Sequence, residues 1–307
     1  MESVYHSGEK EIQKRVGELL RAESNGRVIT NTIIKGAINF IEKQPMAIVS
    51  SVDNKNRIWT SLLIGDHGFV TVPTQNNLNI DIEKIHSDPH DIFFKNISDN
   101  GNMGSLFIEF ETRRRFRING AAKVSENQIE LTVKEAYPNC PKYIQQRVIS
   151  RPEGFKKTNA IKTMGRKIND DIKRWITSSD TLFVGSQGQS LSLDASHRGG
   201  PPGFVEFVDK QILKIPDYVG NSMYNTLGNI LQNPNVGLLF IDFNKGKTLQ
   251  LTGKASILFE QQNASDLIKT TGTGRFWLFS PEEWIITENH HDVSWELLSY
   301  SPFNPTI

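Results

Sequence analysis

Three stretches of this chain carry residue types suited to holding an anion. Ser196-His197-Arg198-Gly199-Gly200-Pro201-Pro202-Gly203 follows an expected strand over 190–194. Glycines let backbone approach a ligand closely, Ser and His supply donors, and the arginine fork matches phosphate geometry. The same residues also suit a tight loop whose Arg198 pairs with a surface carboxylate, and composition leaves both readings open. Asp217-Tyr218-Val219-Gly220-Asn221-Ser222-Met223-Tyr224-Asn225-Thr226 enters an expected helix ending near Asn233-Pro234. Free N–H groups at a helix start bind phosphate, and Asn or Thr adds donors without bulk, although ordinary capping uses the same types. Arg113-Arg114-Arg115-Phe116-Arg117 reads as a strand, which sets Arg113, Arg115 and Arg117 on one face and Arg114 on the other. Three like charges on one face repel unless an anion sits among them; a solvated edge strand is the plainer alternative.

Two other clusters offer less. His290-His291-Asp292 has no helical or strand spacing that completes a metal shell, so a surface loop is expected. Cys140, with Lys142 near it, has an activating neighbour, but a lone cysteine also serves as a small buried apolar group.

The elements that position these residues occur twice. Ile108-Glu109-Phe110 leading to Ile118-Asn119-Gly120-Ala121-Ala122 is matched by Ile241-Asp242-Phe243 leading to Leu251-Thr252-Gly253-Lys254-Ala255, at an offset of 133. Ile48-Val49-Ser50-Ser51 and Gly68-Phe69-Val70 have partners in Phe183-Val184-Gly185-Ser186 and Gly203-Phe204-Val205, at an offset of 135. Two copies of one β-rich unit follow, and function is to be sought where the copies differ. They differ at the candidate residues. Ser61-Leu62-Leu63 stands against Ser196-His197-Arg198, and Gly246-Lys247-Thr248-Leu249-Gln250 stands against the arginine strand.

A chain of 307 residues with a net charge of +1 has room for two cores and no global field to recruit nucleic acid or an anionic membrane. The single cysteine excludes an intrachain disulfide and fits a reducing cytoplasm; no signal-like or spanning apolar run is present. Periodicity gives amphipathic helices over 9–22 and 31–43, a hairpin over 47–62, and strands over 68–72, 104–110 and 114–124, with a similar order over 181–258. The fold class expected is β-rich α+β: a helical arm (1–44), a first barrel domain (45–128), a mostly helical connection (129–176) interrupted by Pro138, Pro141 and Pro152, a second barrel domain (177–262) and a C-terminal extension (263–307).

At Asp194 to Val205 and Ile215 to Asn229 the chain resembles the FMN-binding proteins related to pyridoxamine 5′-phosphate oxidase, and Tyr137-Pro138-Asn139-Cys140-Pro141-Lys142 resembles a connecting motif of its longer members. The resemblance implies two tandem split β-barrels with FMN at their interface. It places Ser196, His197 and Arg198 at the strand end that contacts flavin and phosphate, and Asn225 and Thr226 where the oxidase has an arginine-lysine pair. Arg115 and Arg117 fall on the family's flavin-contacting strand, and Asn221, Trp59 and Ser61 join the set. The oxidase's C-terminal elements for pyridoxal phosphate have no clear match in 257–307. The function implied is an FMN-dependent oxidoreductase, with NAD(P)H as a candidate electron donor and a substrate other than pyridoxamine phosphate; the alternative is a non-catalytic FMN store or sensor. A homodimer is also compatible with the family.

Overall fold

The computed structural model describes residues 3–150, 159–188 and 192–306. Three helices lead in: α1 (Ser7–Arg15), α2 (Leu19–Gly26) and α3 (Lys35–Glu42). The expected single helix over 9–22 is two helices, because the chain turns at Gly17, where φ is +73°.

The first sheet contains β1 (Met46–Val52), β2 (Ile58–Ile64), β3 (Val70–Thr74), β4 (Asn77–Asp81), β5 (Asn102–Glu109), β6 (Arg114–Val124) and β7 (Gln128–Asn139), with α4 (Ile92–Asp99) between β4 and β5. Its order is β2-β1-β5-β6-β7-β4-β3. Next come β8 (Gln146–Ser150), β9 (Ile161–Gly165) and α5 (Asp170–Ser178). The second sheet contains β10 (Thr181–Gln187), β11 (Leu193–Gly199), β12 (Glu206–Phe207), β13 (Leu213–Pro216), β14 (Asn235–Asp242), β15 (Lys247–Leu258) and β16 (Phe276–Glu288), with α6 (Asn225–Gln232) before β14 and α7 (Ala264–Lys269) before β16. Its order, β11-β10-β14-β15-β16-β13-β12, repeats that of the first sheet strand for strand, and β9 adds to β16. The final strand, β17 (Ser294–Ser299), pairs with β8.

The correspondence extends to detail. Val49 faces Ser61 as Val184 faces Ser196, and Phe107 faces Phe116 as Phe240 faces Leu249. The register of β6 on β7 slips between Asn119 and Gly120, and that of β15 on β16 between Thr252 and Gly253. At these bulges a Cβ on Gly120 would lie 2.0 Å from the Thr132 carbonyl oxygen and one on Gly253 2.2 Å from that of Ser280, so both copies need glycine.

β1 and β2 are buried along their whole length because each faces two cores. Ala47, Val49 and Leu63 point into the core of the first half, while Met46, Ile48, Leu62 and Ile64 meet Phe183, Ala195, Leu239 and Ile241 of the second. Contacts across this joint are reciprocal. A Cβ on Gly104 would lie 2.4 Å from the Leu193 carbonyl oxygen, and one on Gly237 2.6 Å from that of Ile58. Such paired contacts are those of an isologous interface, here inside one chain.

The connection over 129–176 is not mostly helical. Ile129, Leu131 and Val133 alternate with exposed neighbours in β7, a period of two that closes the first sheet, and among the described residues of that stretch only α5 is helical. Residues over 263–307 are more than an extension, since β16 is an interior strand of the second sheet. His290 and His291 are buried rather than on a surface loop, because the turn after β16 packs His291 against Trp295 of β17. Ser196, His197 and Arg198 lie within β11 itself rather than in a loop beyond it; Ser190 and Pro152 lie outside the described residues. Among the described residues no helix is long and apolar enough to cross a membrane.

Candidate functional site

β11 ends against β6 of the other sheet, and α6 begins beside them. The cleft between these elements is narrow, with a cavity volume of about 90 Å3, below the usual range of small-molecule sites, so its walls must part to admit a ligand larger than an anion. Pleating directs Arg115 and Arg117 of β6 into it. Arg113 does not join them. Its φ of +55° belongs to the turn before β6, and its guanidinium donates to the Ile144 carbonyl (2.9 Å) and Ser299 Oγ (2.7 Å). Arg114 points outward, 3.6 Å from Glu109.

Arg117 is 3 % exposed. It donates from Nη1 to Asp194 Oδ1 (3.1 Å) and Tyr137 Oη (2.7 Å), and from Nη2 to Ser196 Oγ (2.5 Å). Burial opposes its charge, but Tyr137 and Asp194 outweigh that and hold its pKa above the ordinary arginine value. Arg115 donates to the Cys140 carbonyl from Nε and Nη2 and to the His197 carbonyl from Nη1. Among the described residues no ion pair is formed by Arg115. Burial, with Arg117 and Arg198 adding to it, brings its pKa down to about 9. Arg198 on β11 is depressed by burial and by Arg117, against the pull of Asp217 at 4.0 Å. Asp217 is itself held by Arg275 Nε at 3.0 Å.

His197 is 4 % exposed, and among the described residues neither ring nitrogen has a hydrogen-bond partner. Its ring meets Phe183 edge-on, and burial with Arg115, Arg198 and Arg147 keeps its pKa well below the usual histidine range. It is therefore a neutral imidazole in a cationic setting. The Nε atoms of Arg117 and Arg198 are also buried without partners. Unsatisfied buried donors are costly, so a cluster of them in one cleft is chemistry that fits a ligand's acceptor atoms.

At the start of α6, Thr226 Oγ1 lies 3.2 Å from Ser196 Oγ. Asn225 also lines the cleft, but its Nδ2 donates to Glu9 Oε1 of α1 (2.5 Å). Asn221 lines the entrance, where its Oδ1 accepts from the Met223 N–H (3.2 Å) and its carbonyl from Asn25 Nδ2 (2.6 Å). Eight of the residues expected to bind are thus gathered in one place: Ser196, His197, Arg198, Asn221, Asn225, Thr226, Arg115 and Arg117. Trp59 and Ser61 lie elsewhere. Trp59 is fully buried with Nε1 on Asp53 Oδ2 (3.1 Å), and Ser61 contacts Asp91 and Gln250.

Several residues of the site escaped sequence reasoning. Tyr143 and Tyr218 line the cleft with ring centroids 4.6 Å apart. Asp194 anchors both Arg117 and Asn119 (2.6 Å), a role that its place two residues before Ser196, on the same strand face, could have signalled. Glu9 has no such signal, since only the packing of α1 on α6 brings it there. Burial and the nearby Asp194 raise its carboxyl to about 8.

A protein-family comparison gives this geometry a class. Residues 168–283 match the family model described as pyridoxamine 5′-phosphate oxidase. That segment runs from α5 into β16 and includes Ser196 to Arg198 and Asn225 to Thr226, so the part of the chain that carries the second-half motifs is similar to this family, as the sequence resemblance indicated. No curated protein matches the chain. Among solved structures, a protein related to general stress protein 26 (pyridoxinephosphate oxidase family) from Clostridium acetobutylicum is 16% identical, with 42% of this chain covering 92% of that one at a TM-score of 0.30. An FMN-binding protein from Syntrophomonas wolfei subsp. wolfei is 9% identical (37% and 81% covered, TM-score 0.28). A FAD-binding protein from Mesorhizobium loti is 10% identical (42% and 98% covered, TM-score 0.30).

Proposed function

We propose that this chain is a duplicated split barrel that binds one FMN between its halves and serves as an FMN-dependent oxidoreductase on a small molecule other than pyridoxamine phosphate. The observation that carries the reading is the gathering, in one cleft, of three arginines, a neutral His197 with two free nitrogens, and the unpartnered Nε atoms of Arg117 and Arg198. Asp194 and Asp217 offset part of that charge, and Asp217 is shared with Arg275, so the cleft keeps a positive surplus that a phosphate would neutralise. FMN is favoured over FAD because the donors converge on one short region and no Gly-x-Gly-x-x-Gly turn for a pyrophosphate is present in the sequence.

Ser196, Thr226, Arg117 and Arg198 would hold the phosphate, with Arg115 and His197 offering further donors to the same ligand. Bound flavin would supply the hydride and electron transfer. The chain's own part is to position it and to exclude water. Arg117 is fixed by Asp194 and Tyr137, so its guanidinium meets a ligand without first becoming ordered. The neutral state of His197 leaves one ring nitrogen as a donor and the other as an acceptor.

The test is a titration of apo-protein with FMN followed by flavin fluorescence and absorption, then a turnover assay with NADPH or NADH. One equivalent of FMN per chain, and oxidation of the reduced nicotinamide, are expected. Uptake of two equivalents, or a released chromophore that proves to be FAD or haem, overturns the binding assignment. Binding without turnover on any reductant leaves a flavin store in place of an oxidoreductase.

A further inference from the structure

The first half has its own version of the cleft, built at matching positions and filled. Ser61 stands on β2 where Ser196 stands on β11, each opposite its matching valine. Gln250 of β15 stands where Arg117 stands on β6, and it reaches Ser61 Oγ (2.8 Å) across the joint as Arg117 reaches Ser196. Asn96 of α4 holds Ser51 (3.1 Å) as Asn229 of α6 holds Ser186 (3.1 Å).

The two copies part at the first residue before each helix. Before α4 it is Asp91, 3 % exposed, whose Oδ1 accepts from Ser61 Oγ (2.6 Å) and from the Phe93 N–H (2.9 Å). His290, wholly buried, stands 3.8 Å from its other oxygen. Before α6 the residue is Tyr224, in a left-handed conformation; its hydroxyl donates to Glu18 (2.7 Å) and α6 is left without a side-chain cap. Where one half has a carboxylate against its serine and helix start, the other has the open cleft with the unpartnered nitrogens of Arg117 and His197.

We propose that the Asp91 carboxylate is a built-in substitute for the ligand's anion, which closes the first-half counterpart of the cleft and limits the chain to a single anionic ligand. The proposal rests on the reading of the open cleft as an anion site, and it accounts for features of the closed one. Leu62 and Leu63 stand in place of His197 and Arg198, and an aspartate brings one charge where a phosphate brings two: Ser61 and the Phe93 N–H meet one of its oxygens, and His290 stands 3.8 Å from the other. Burial opposes ionisation of Asp91, but His290, Ser61 and the Phe93 N–H together hold its pKa below the ordinary aspartate value. Ser61, which the family resemblance assigned to the flavin, belongs to this closed copy.

The test uses apo-protein and formate, an anion of the size that Asp91→Ala removes. Thermal unfolding is followed as sodium formate rises, against sodium chloride at equal ionic strength. Asp91→Ala is expected to melt well below wild type and to recover part of the loss with a saturable formate response beyond that of wild type, since both retain the open cleft. Asp91→Ser retains a capping hydroxyl without a carboxylate; it is expected to melt below wild type and to respond to formate as well, and it carries the test if the alanine variant does not fold. An Asp91→Ser protein as stable as wild type would make Asp91 an ordinary helix cap and overturn the proposal. So would formate responses of the variants, corrected for chloride, that are no larger than that of wild type. Failure of the flavin reading shows separately, as wild-type protein that takes up no FMN, and does not alter the formate result.

Discussion

Replacement of Arg198 by alanine tests the cleft with the least disturbance to the fold. Arg115 is a poorer choice, since its loss would remove the donors to the Cys140 carbonyl, and Arg117 holds Asp194, Tyr137 and Ser196 together. Among the described residues Arg198 pairs only with Asp217, at 4.0 Å, and Asp217 keeps Arg275 at 3.0 Å when Arg198 is gone. The apo-protein therefore loses little, and relief of the repulsion from Arg117 offsets part of even that. A charge-assisted hydrogen bond contributes about 1.5–3 kcal/mol, and with Arg115 and Arg117 still present the loss is taken as ~2 kcal/mol, roughly a 30-fold rise in Kd. Fluorescence titrations with FMN and with riboflavin, which lacks the phosphate, separate charge from ring contacts. Affinity for FMN should fall by that factor in Arg198→Ala while affinity for riboflavin stays unchanged. An FMN affinity equal to wild type in a folded variant would refute the assignment and return Arg198 to a pairing role with Asp217.

Two further outcomes follow from burial. Glu9 is a carboxyl whose pKa in the folded protein, about 8, lies above its ordinary value of 4.5, so the folded state holds the proton more tightly; its contribution is complete below about pH 4.5 and is lost as pH rises through about 8. Urea midpoints should decline over that window by an amount worth a few kcal/mol at most, and Glu9→Gln should flatten the decline without abolishing it, because Glu135 is shifted in the same direction. Gly104→Ala and Gly237→Ala each force a methyl group onto a carbonyl of the opposite half. Each should destabilise the fold by about 1–3 kcal/mol or more in urea unfolding, and an unchanged midpoint in both would mean that the halves are not pressed together as described.

Much of this arrangement is legible in the sequence because the repeat carries its own register. The offsets of 133 and 135 align β1 with β10, β2 with β11, β5 with β14 and β6 with β15, and even the bulge glycines fall in step. The asymmetry of Ser196-His197-Arg198 against Ser61-Leu62-Leu63 then points to the open copy. What failed was local. In β7 the alternation at Ile129, Leu131 and Val133 was hidden by charged neighbours and by Pro138, which sits near the strand's end. Arg113 carries a strand-compatible side chain but a turn conformation, and composition does not distinguish the two. Residues supplied by distant packing left no signal: Glu9 reaches the cleft only because α1 lies on α6, and His290 meets Asp91 only because the turn after β16 folds inward.

The placement of both halves in one chain bears on why the cleft is so uneven. In a symmetric homodimer every substitution appears in both sites, so an arginine on β6 that helps one ligand must also be accommodated in the other site. A chain that holds both copies is released from that constraint. Its first copy can supply Arg115 and Arg117 while its own serine is satisfied by Asp91, and its second can supply Ser196, Arg198 and Thr226 while Gln250 stands in the place of a basic residue. Reciprocal contacts such as those of Gly104 and Gly237 preserve the joint, because close backbone approach tolerates no change on either side. The joint is symmetric where it packs and asymmetric where it could bind. Loss of Asp91 should therefore reveal a vacancy in the first half without altering the number of flavins held by the second.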